Sequence, residues 1–242
     1  MDYWEPGLRA HDVDIIFNDL KSFLPPLIDA VIGKQAIEPP LPLPGPFPID
    51  RQRRLATTLK ERLGFDTSRG RLDVSHHPFC GGVRDDTRIT TRYAESEFLG
   101  ALMAVLHETG HALYQQGLPG DWSRQPVGDA LGMAIHESQS LLMEMQACRS
   151  RDFLRFAAPV IREALQGNEG DQAWSVDNLH KHYILVNKGK IRVDADELTY
   201  PLHVILRYEI ERALIDGEMD VEDIPDAWNT QMRDSLGLST DG

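Results

Sequence analysis

The sequence predicts a mainly helical protein with one small antiparallel β element, and three observations carry that prediction. Apolar residues recur at helical spacing along most of the chain, strand-like residues cluster in one stretch at about 72–93, and glycine, proline and capping residues punctuate the helical segments. With 41% hydrophobic and 26% charged residues over 242 positions, the chain has the composition of a soluble globular protein, long enough to bury a core.

The first helical segment is HDVDIIFNDLKSFLPPLIDAVIG, with Val13, Ile16, Phe17, Leu20 and Leu24 on one face and an expected interruption at Pro25 and Pro26. EPPLPLPGPFP (38–48) follows; its prolines forbid a regular helix and favour a stiff surface crossover. PIDRQRRLATTLKERLGFD predicts a helix to about Leu63, stopped by Gly64. LDVSHHPF and TRITTRY are rich in β-branched and aromatic residues and flank the turn-like CGGVRDD, so they read as an antiparallel pair. Ser96 is placed to cap a long helix, FLGALMAVLHETGHALYQQG, ending at Gly117. PVGDALGMAIHESQSLLMEMQACRSRDFLRF reads as a second long helix with Pro126 in its first turn. Further helices are expected at about 152–166, 174–188, 198–216 and 224–236. No repeat or firm boundary divides the chain, so residues 1–242 read as one region.

Several function classes drop out at this level. No run of eighteen apolar residues spans a membrane, and MDYWEPGLRAHDVD lacks the basic flank and apolar stretch of a signal peptide. Two cysteines, Cys80 and Cys148, are too few for a disulfide scaffold and fit a reducing cytoplasm. A formal charge of −13 opposes nucleic-acid binding; the one basic cluster, RQRR at 51–54, reads as a solvated helix face.

The chemistry concentrates in His107-Glu108-Thr109-Gly110-His111. Histidines four apart on a helix project from one face, so both imidazoles can reach one cation, and zinc then needs a third ligand to make an open site. Glu108 points about 100° away from His107. That places it to act as general base for a metal-activated water. The alternative is a buried pair of structural histidines. The apolar helix around the motif (Leu99, Leu102, Val105, Leu106, Leu113) favours metal, because three polar side chains beside a core need partners. A third ligand is available in His136-Glu137-Ser138-Gln139-Ser140, where Glu137 lies 26 residues beyond His111 on the next helix. His136, Glu144 and Asp129 compete with it; Glu144 and Asp129 would also suit acceptance of an imidazole N–H. Spacing alone leaves Glu137 the favourite among open alternatives.

HHPF (76–79), DTRIT (86–90), HETGH (107–111), HESQS (136–140) and IRVDADELTYP (191–201) follow one another over about 125 residues. In that order they resemble the thermostable carboxypeptidases typified by carboxypeptidase Taq. The resemblance implies a helical, zincin-like metallopeptidase of saddle shape with a deep groove, usually a homodimer. It implies zinc, or sometimes cobalt, held by His107, His111 and Glu137, with Glu108 as the catalytic carboxylate. The substrates it implies are peptides with a free C-terminus, trimmed until proline blocks progress. An exopeptidase must hold an α-carboxylate, for which arginine is suited. Arg192 matches the family motif thought to do so, and Arg88 is the other candidate. The structural alternatives are an ion pair of Arg192 with Asp194 or Asp196 and of Arg88 with Asp86. His77, with His76, is expected along the substrate groove, and Tyr200 is a candidate to polarise the scissile carbonyl. Cys80 reads as a small apolar group rather than a nucleophile.

Family members are about twice as long, so the sequence reads as a truncated central portion with apolar faces to be covered, for instance by dimerisation. A tyrosine-containing segment expected to assist the oxyanion lies in the part not matched, and losing one such donor typically costs about 10²–10³ in turnover. Impaired activity is therefore expected. The rival readings are an oligopeptidase of the same HExxH class and a non-catalytic metal-binding or assembly module.

Overall fold

A computed structural model describes residues 4–240. They group into two compact units: Pro40–Tyr183, with residues 4–6, and Gly7–Pro39 with the residues from Ile184 on.

The second of these units holds three helices: α1 (Ala10–Ile37), α7 (Tyr200–Ile215) and α8 (Ile224–Leu236). Its core is Leu24, Ile28, Leu202, Ile205, Leu206 and Met232. The expected interruption of α1 does not occur, since the helix runs straight through Pro25 and Pro26. Proline removes helix hydrogen bonds, but Leu24 and Ile28 on either side are buried at 3% and 1% exposure, and that packing holds the segment in line.

The other unit carries α2 (Ile49–Arg62), a three-stranded sheet, α3 (Leu99–Gly117), α4 (Gly132–Leu141), α5 (Arg151–Leu165) and α6 (Val176–Tyr183). Its core joins Leu55 and Leu59 of α2, Leu102 and Leu106 of α3, Leu154 and Ile161 of α5, and Leu179 of α6. The Phe47 and Phe98 rings pack edge to face in that core, with centroids 5.0 Å apart. Gly64 stops α2 as expected: it takes φ +106 while Phe65 N–H donates back to the Lys60 carbonyl at 3.1 Å. The prolyl stretch has no regular secondary structure, and Asn178 fixes it by bonding both the amide and the carbonyl of Leu41.

The strands are β1 (Gly70–Val74), β2 (Cys80–Val83) and β3 (Asp86–Thr91), in the order β1-β3-β2. An antiparallel pair is present, but it is β2 with β3; GRLDV of β1, which takes in only the LDV of LDVSHHPF, pairs with DTRITT in parallel. The glycines of CGGV read as a turn because Gly82 does adopt φ +102, yet it does so inside β2, opposite Thr87. Ile89 of β3 and Phe65 pack on Ala112 of α3, seating the sheet against that helix.

Two helix boundaries differ from expectation. Ser96 does not cap α3; the Glu97 carboxylate accepts the Gly100 amide at 2.9 Å instead. The second long helix is broken into pieces. A 3₁₀ turn at Pro126–Gly128 precedes α4, and a π-helical segment, Leu142–Cys148, follows it. Then Ser150 caps α5 by accepting the Phe153 amide at 3.1 Å. α3 does end at Gly117, because Leu118 precedes Pro119 and is held extended. α6 is shorter than expected, and α5, α7 and α8 fall within two residues of their expected bounds.

Candidate metal centre

α3 runs through the core of its unit, and from Ala101 to Ala112 only Ala104 and His107 escape full burial. His107 and His111 stand one turn apart with ring centroids 5.0 Å apart. α4 brings Glu137 across both of them: Oε1 lies 3.3 Å from His107 Nε2 and Oε2 lies 3.3 Å from His111 Nε2. The three residues offer one donor atom each within 4.8 Å of one another. That convergence depends on Gly110. A β-carbon there would sit 2.5 Å from the Gln139 carbonyl oxygen and 2.7 Å from the Ser140 Cα, so only glycine lets α4 come this close.

The rings are held from behind. His107 Nδ1 is 2.9 Å from Glu144 Oε2, and Glu144 in turn accepts Arg149 Nη2 at 2.5 Å. The Arg149 guanidinium is tied down by the Tyr183 carbonyl at 3.1 Å. His111 Nδ1 meets a different partner, His136 Nδ1, at 2.6 Å. With Nδ1 of each ring engaged away from Glu137, both Nε2 atoms face the carboxylate.

Electrostatics follow from this packing. Burial depresses the pKa of His107, but its bonds to Glu137 and Glu144 outweigh that and push it from 6.5 up to about 10. The His107 and His111 hydrogen bonds hold the Glu137 carboxyl well below the usual range. Glu108 is 5% exposed, and its Oε2 has no hydrogen-bond partner among the described residues. Burial raises its pKa against the opposing charges of His107 and His111. Burial likewise pushes the Cys80 thiol up to about 12, as suits an inert apolar group.

The donor set fits a divalent cation. Two imidazole nitrogens and a carboxylate converge, each imidazole is oriented by its other nitrogen, and a buried glutamate oxygen lies unpartnered within electrostatic reach. The model of the carboxypeptidase Taq (M32) metallopeptidases matches residues 1–242. The chain belongs to this family.

Thermostable carboxypeptidase 1 of Thermus thermophilus is 41% identical over 240 residues, covering 99% of this chain and 46% of that protein. Carboxypeptidase 1 of Bacillus subtilis is 38% identical over 243 residues, covering 99% and 48%. Metallocarboxypeptidase 1 of Trypanosoma cruzi superposes with a TM-score of 0.93 at 45% identity, covering 99% of this chain and 48% of that one. The chain thus spans about half the length of the carboxypeptidase Taq relatives it matches.

The other motifs that carry the resemblance fall in both units. Arg88, on β3, forms a bidentate pair with Asp86 at 3.0 and 2.6 Å, so its structural reading describes what is seen. His77 is exposed, and its carbonyl accepts the Ser75 hydroxyl. Arg192 and Tyr200 belong to the unit of α1, α7 and α8. The ion pair weighed for Arg192 with Asp194 or Asp196 is not formed. Its Nη1 donates to Tyr200 Oη at 2.9 Å and its guanidinium lies 5.6 Å from that ring's centroid. Asp196 is occupied instead at the start of α7, accepting the Leu198 and Thr199 amides. Of the residues that competed with Glu137, Glu144 takes the imidazole N–H as anticipated and Asp129 is exposed beyond the 126–128 turn. His136 stands behind His111, a place that sequence spacing did not suggest. Arg149 and Gly110 were also missed; the glycine between Thr109 and His111 was the signal available for the second.

No helix among the described residues is long and apolar enough to cross a membrane.

Proposed function

We propose that this chain is the metal-binding catalytic region of a metallocarboxypeptidase that hydrolyses the last peptide bond of peptides with a free C-terminus. One observation carries the reading: a carboxylate that spans two imidazole Nε2 atoms at 3.3 Å each, beside a buried glutamate with an unpartnered oxygen. His107, His111 and Glu137 would hold the ion, zinc in first place and cobalt as the alternative. Such an ion, when bound, supplies Lewis acidity that acidifies water and polarises a carbonyl.

The remaining steps belong to the chain's own groups. Glu108 takes a proton from the attacking water and passes it to the leaving amine; burial, by raising its pKa, moves it towards the range a general base needs. Glu144 and Arg149 keep His107 Nε2 turned to the ion. Arg192 is assigned to the substrate's α-carboxylate, with Tyr200 as the hydroxyl that holds its guanidinium ready. Arg88 and His77 are assigned to substrate contacts along the groove, Arg88 only on release from Asp86. The family resemblance supports a homodimer as the working form, and two free thiols, Cys80 and Cys148, support a reducing cytoplasm.

The test uses metal-loaded protein with two peptides that differ only in a free or amidated C-terminus. Release of the last residue from the free peptide alone supports the reading; brisk cleavage of the amidated one points to an oligopeptidase. Glu108→Gln should keep full metal occupancy and lower turnover by about 10²–10⁴. Equal inertness of both proteins at full occupancy would identify a metal-binding module instead.

A further inference from the structure

The two histidines of α3 turn Nε2 towards Glu137 and Nδ1 away from it, but what stands behind the two rings differs. Behind His107 is a carboxylate, Glu144, kept ionised by its ion pair with Arg149. Behind His111 is another imidazole, with the two Nδ1 atoms 2.6 Å apart. Such a contact holds only when one nitrogen carries hydrogen and the other presents a lone pair. A cation on His111 Nε2 would use that atom's lone pair, so the proton of this ring belongs on Nδ1 and His136 must accept it. His136 then carries its own proton on Nε2, which faces the Gln115 carboxamide oxygen at 3.4 Å. The Tyr114 ring stands perpendicular to His136 with centroids 5.1 Å apart and fixes its plane.

We propose that His136 is a positioning residue of this centre. It locks His111 as the Nδ1–H tautomer and gives it a neutral partner where His107 has an anionic one. A carboxylate behind an imidazole strengthens the ligand more than a neutral acceptor does. His107 therefore anchors the ion, and His111 is the weaker, more exchangeable donor. His136 is not itself a ligand, because one ring nitrogen is engaged by His111 and the other faces Gln115. The inference rests on the reading of His107, His111 and Glu137 as ligands.

The experiment compares wild type, His136→Phe and His136→Gln by competition for Zn²⁺ against a chromophoric chelator and by the absorption spectrum of the Co²⁺ form. It adds long-range ¹H–¹⁵N NMR of the histidine rings in the Zn²⁺-loaded protein. Phe keeps the ring and removes the acceptor, so affinity should fall about 10–100-fold and the Co²⁺ spectrum should change. Gln restores an acceptor oxygen, so affinity should return to within about threefold of wild type. In loaded wild type the NMR should place a proton on His111 Nδ1 and one on His136 Nε2. A Phe variant that binds like wild type, or a proton on His136 Nδ1, overturns the proposal. If the Phe variant does not fold, the wild-type tautomer and the Gln variant still decide, since a Gln variant weakened by about 10–100-fold counts against it. A wild type that binds no metal sinks the site reading itself, whereas wild-type binding indifferent to position 136 sinks only the role of His136.

Discussion

The two halves of the candidate centre are built differently. α3 is regular and enclosed by β3, α2, α4 and the π-helical segment, and it contributes His107, Glu108 and His111 from a run of buried residues. The segment from α4 to Cys148 contributes His136, Glu137 and Glu144, but it leaves Ile135 42% and Leu142 49% exposed and loosens into a π-helix. A buried helix fixes its side chains through packing on every side. A half-exposed, irregular one is packed on one face only and opens at lower free energy. On the proposed reading the base and two ligands are thus preset by the core, while the closing carboxylate rides on the less enclosed element, and Gly110 is where the two meet.

The most direct way to break this comparison is to remove the ligand from the less enclosed half. Glu137→Ala should lower Zn²⁺ affinity by at least about a thousandfold in chelator competition, since one of the three proposed protein ligands is lost. An unchanged affinity would mean that α3 binds the ion without α4. Glu144→Gln keeps the shape of the side chain behind His107 but removes its charge. The expected loss is about 10–100-fold by the same titration.

Proton competition sharpens the comparison from the other side. His107 in the metal-free protein has its pKa raised from 6.5 to about 10, so its protonated form contributes stability that is fully present below about 6.5 and fades as pH rises towards about 10. The ion must displace that proton. Affinity should therefore rise by about tenfold per pH unit from about pH 7 up to about pH 10 and then level off. A flat profile measured across that range would show that His107 is neutral before metal arrives. The smallest effect expected is that of Gly110→Ala. Separating α3 from the Gln139 backbone should lower stability by about 1–3 kcal/mol, read by chemical denaturation. Metal binding should weaken with it, because Glu137 retreats with α4.

Much of this architecture was legible in the sequence for identifiable reasons. Gly64 acts through its own backbone limits, so the end of α2 needed no tertiary information; α3 also ends at Gly117 as expected, with the extended Leu118 before Pro119 as the reason rather than the glycine. The apolar periodicity of 224–236 likewise matched α8 residue for residue. Pro25 and Pro26 misled because a local penalty was overruled by burial on either side. The 126–156 stretch misled because its apolar pattern continues across Ser150, whose capping role depends on the bend that precedes it. The sheet misled because strand residues were recognised but pairing partners are not written in local pattern; CGGV supplies the antiparallel neighbour.

For the centre, local helical geometry determines that His107 and His111 share a face with Glu108 beside them, since a 3.6-residue period makes that true wherever the helix lies. The fold family, and with it the expectation for Glu137, was legible through five motifs in order. What only the tertiary structure decided is which groups stand around the two imidazoles: Glu137 across both Nε2 atoms, Glu144 behind one ring and His136 behind the other. Those contacts join residues 25 to 37 positions apart. They exist because two helix backbones meet at a glycine and the chain after α4 winds more loosely, and neither distance nor winding is a property of any short stretch of sequence.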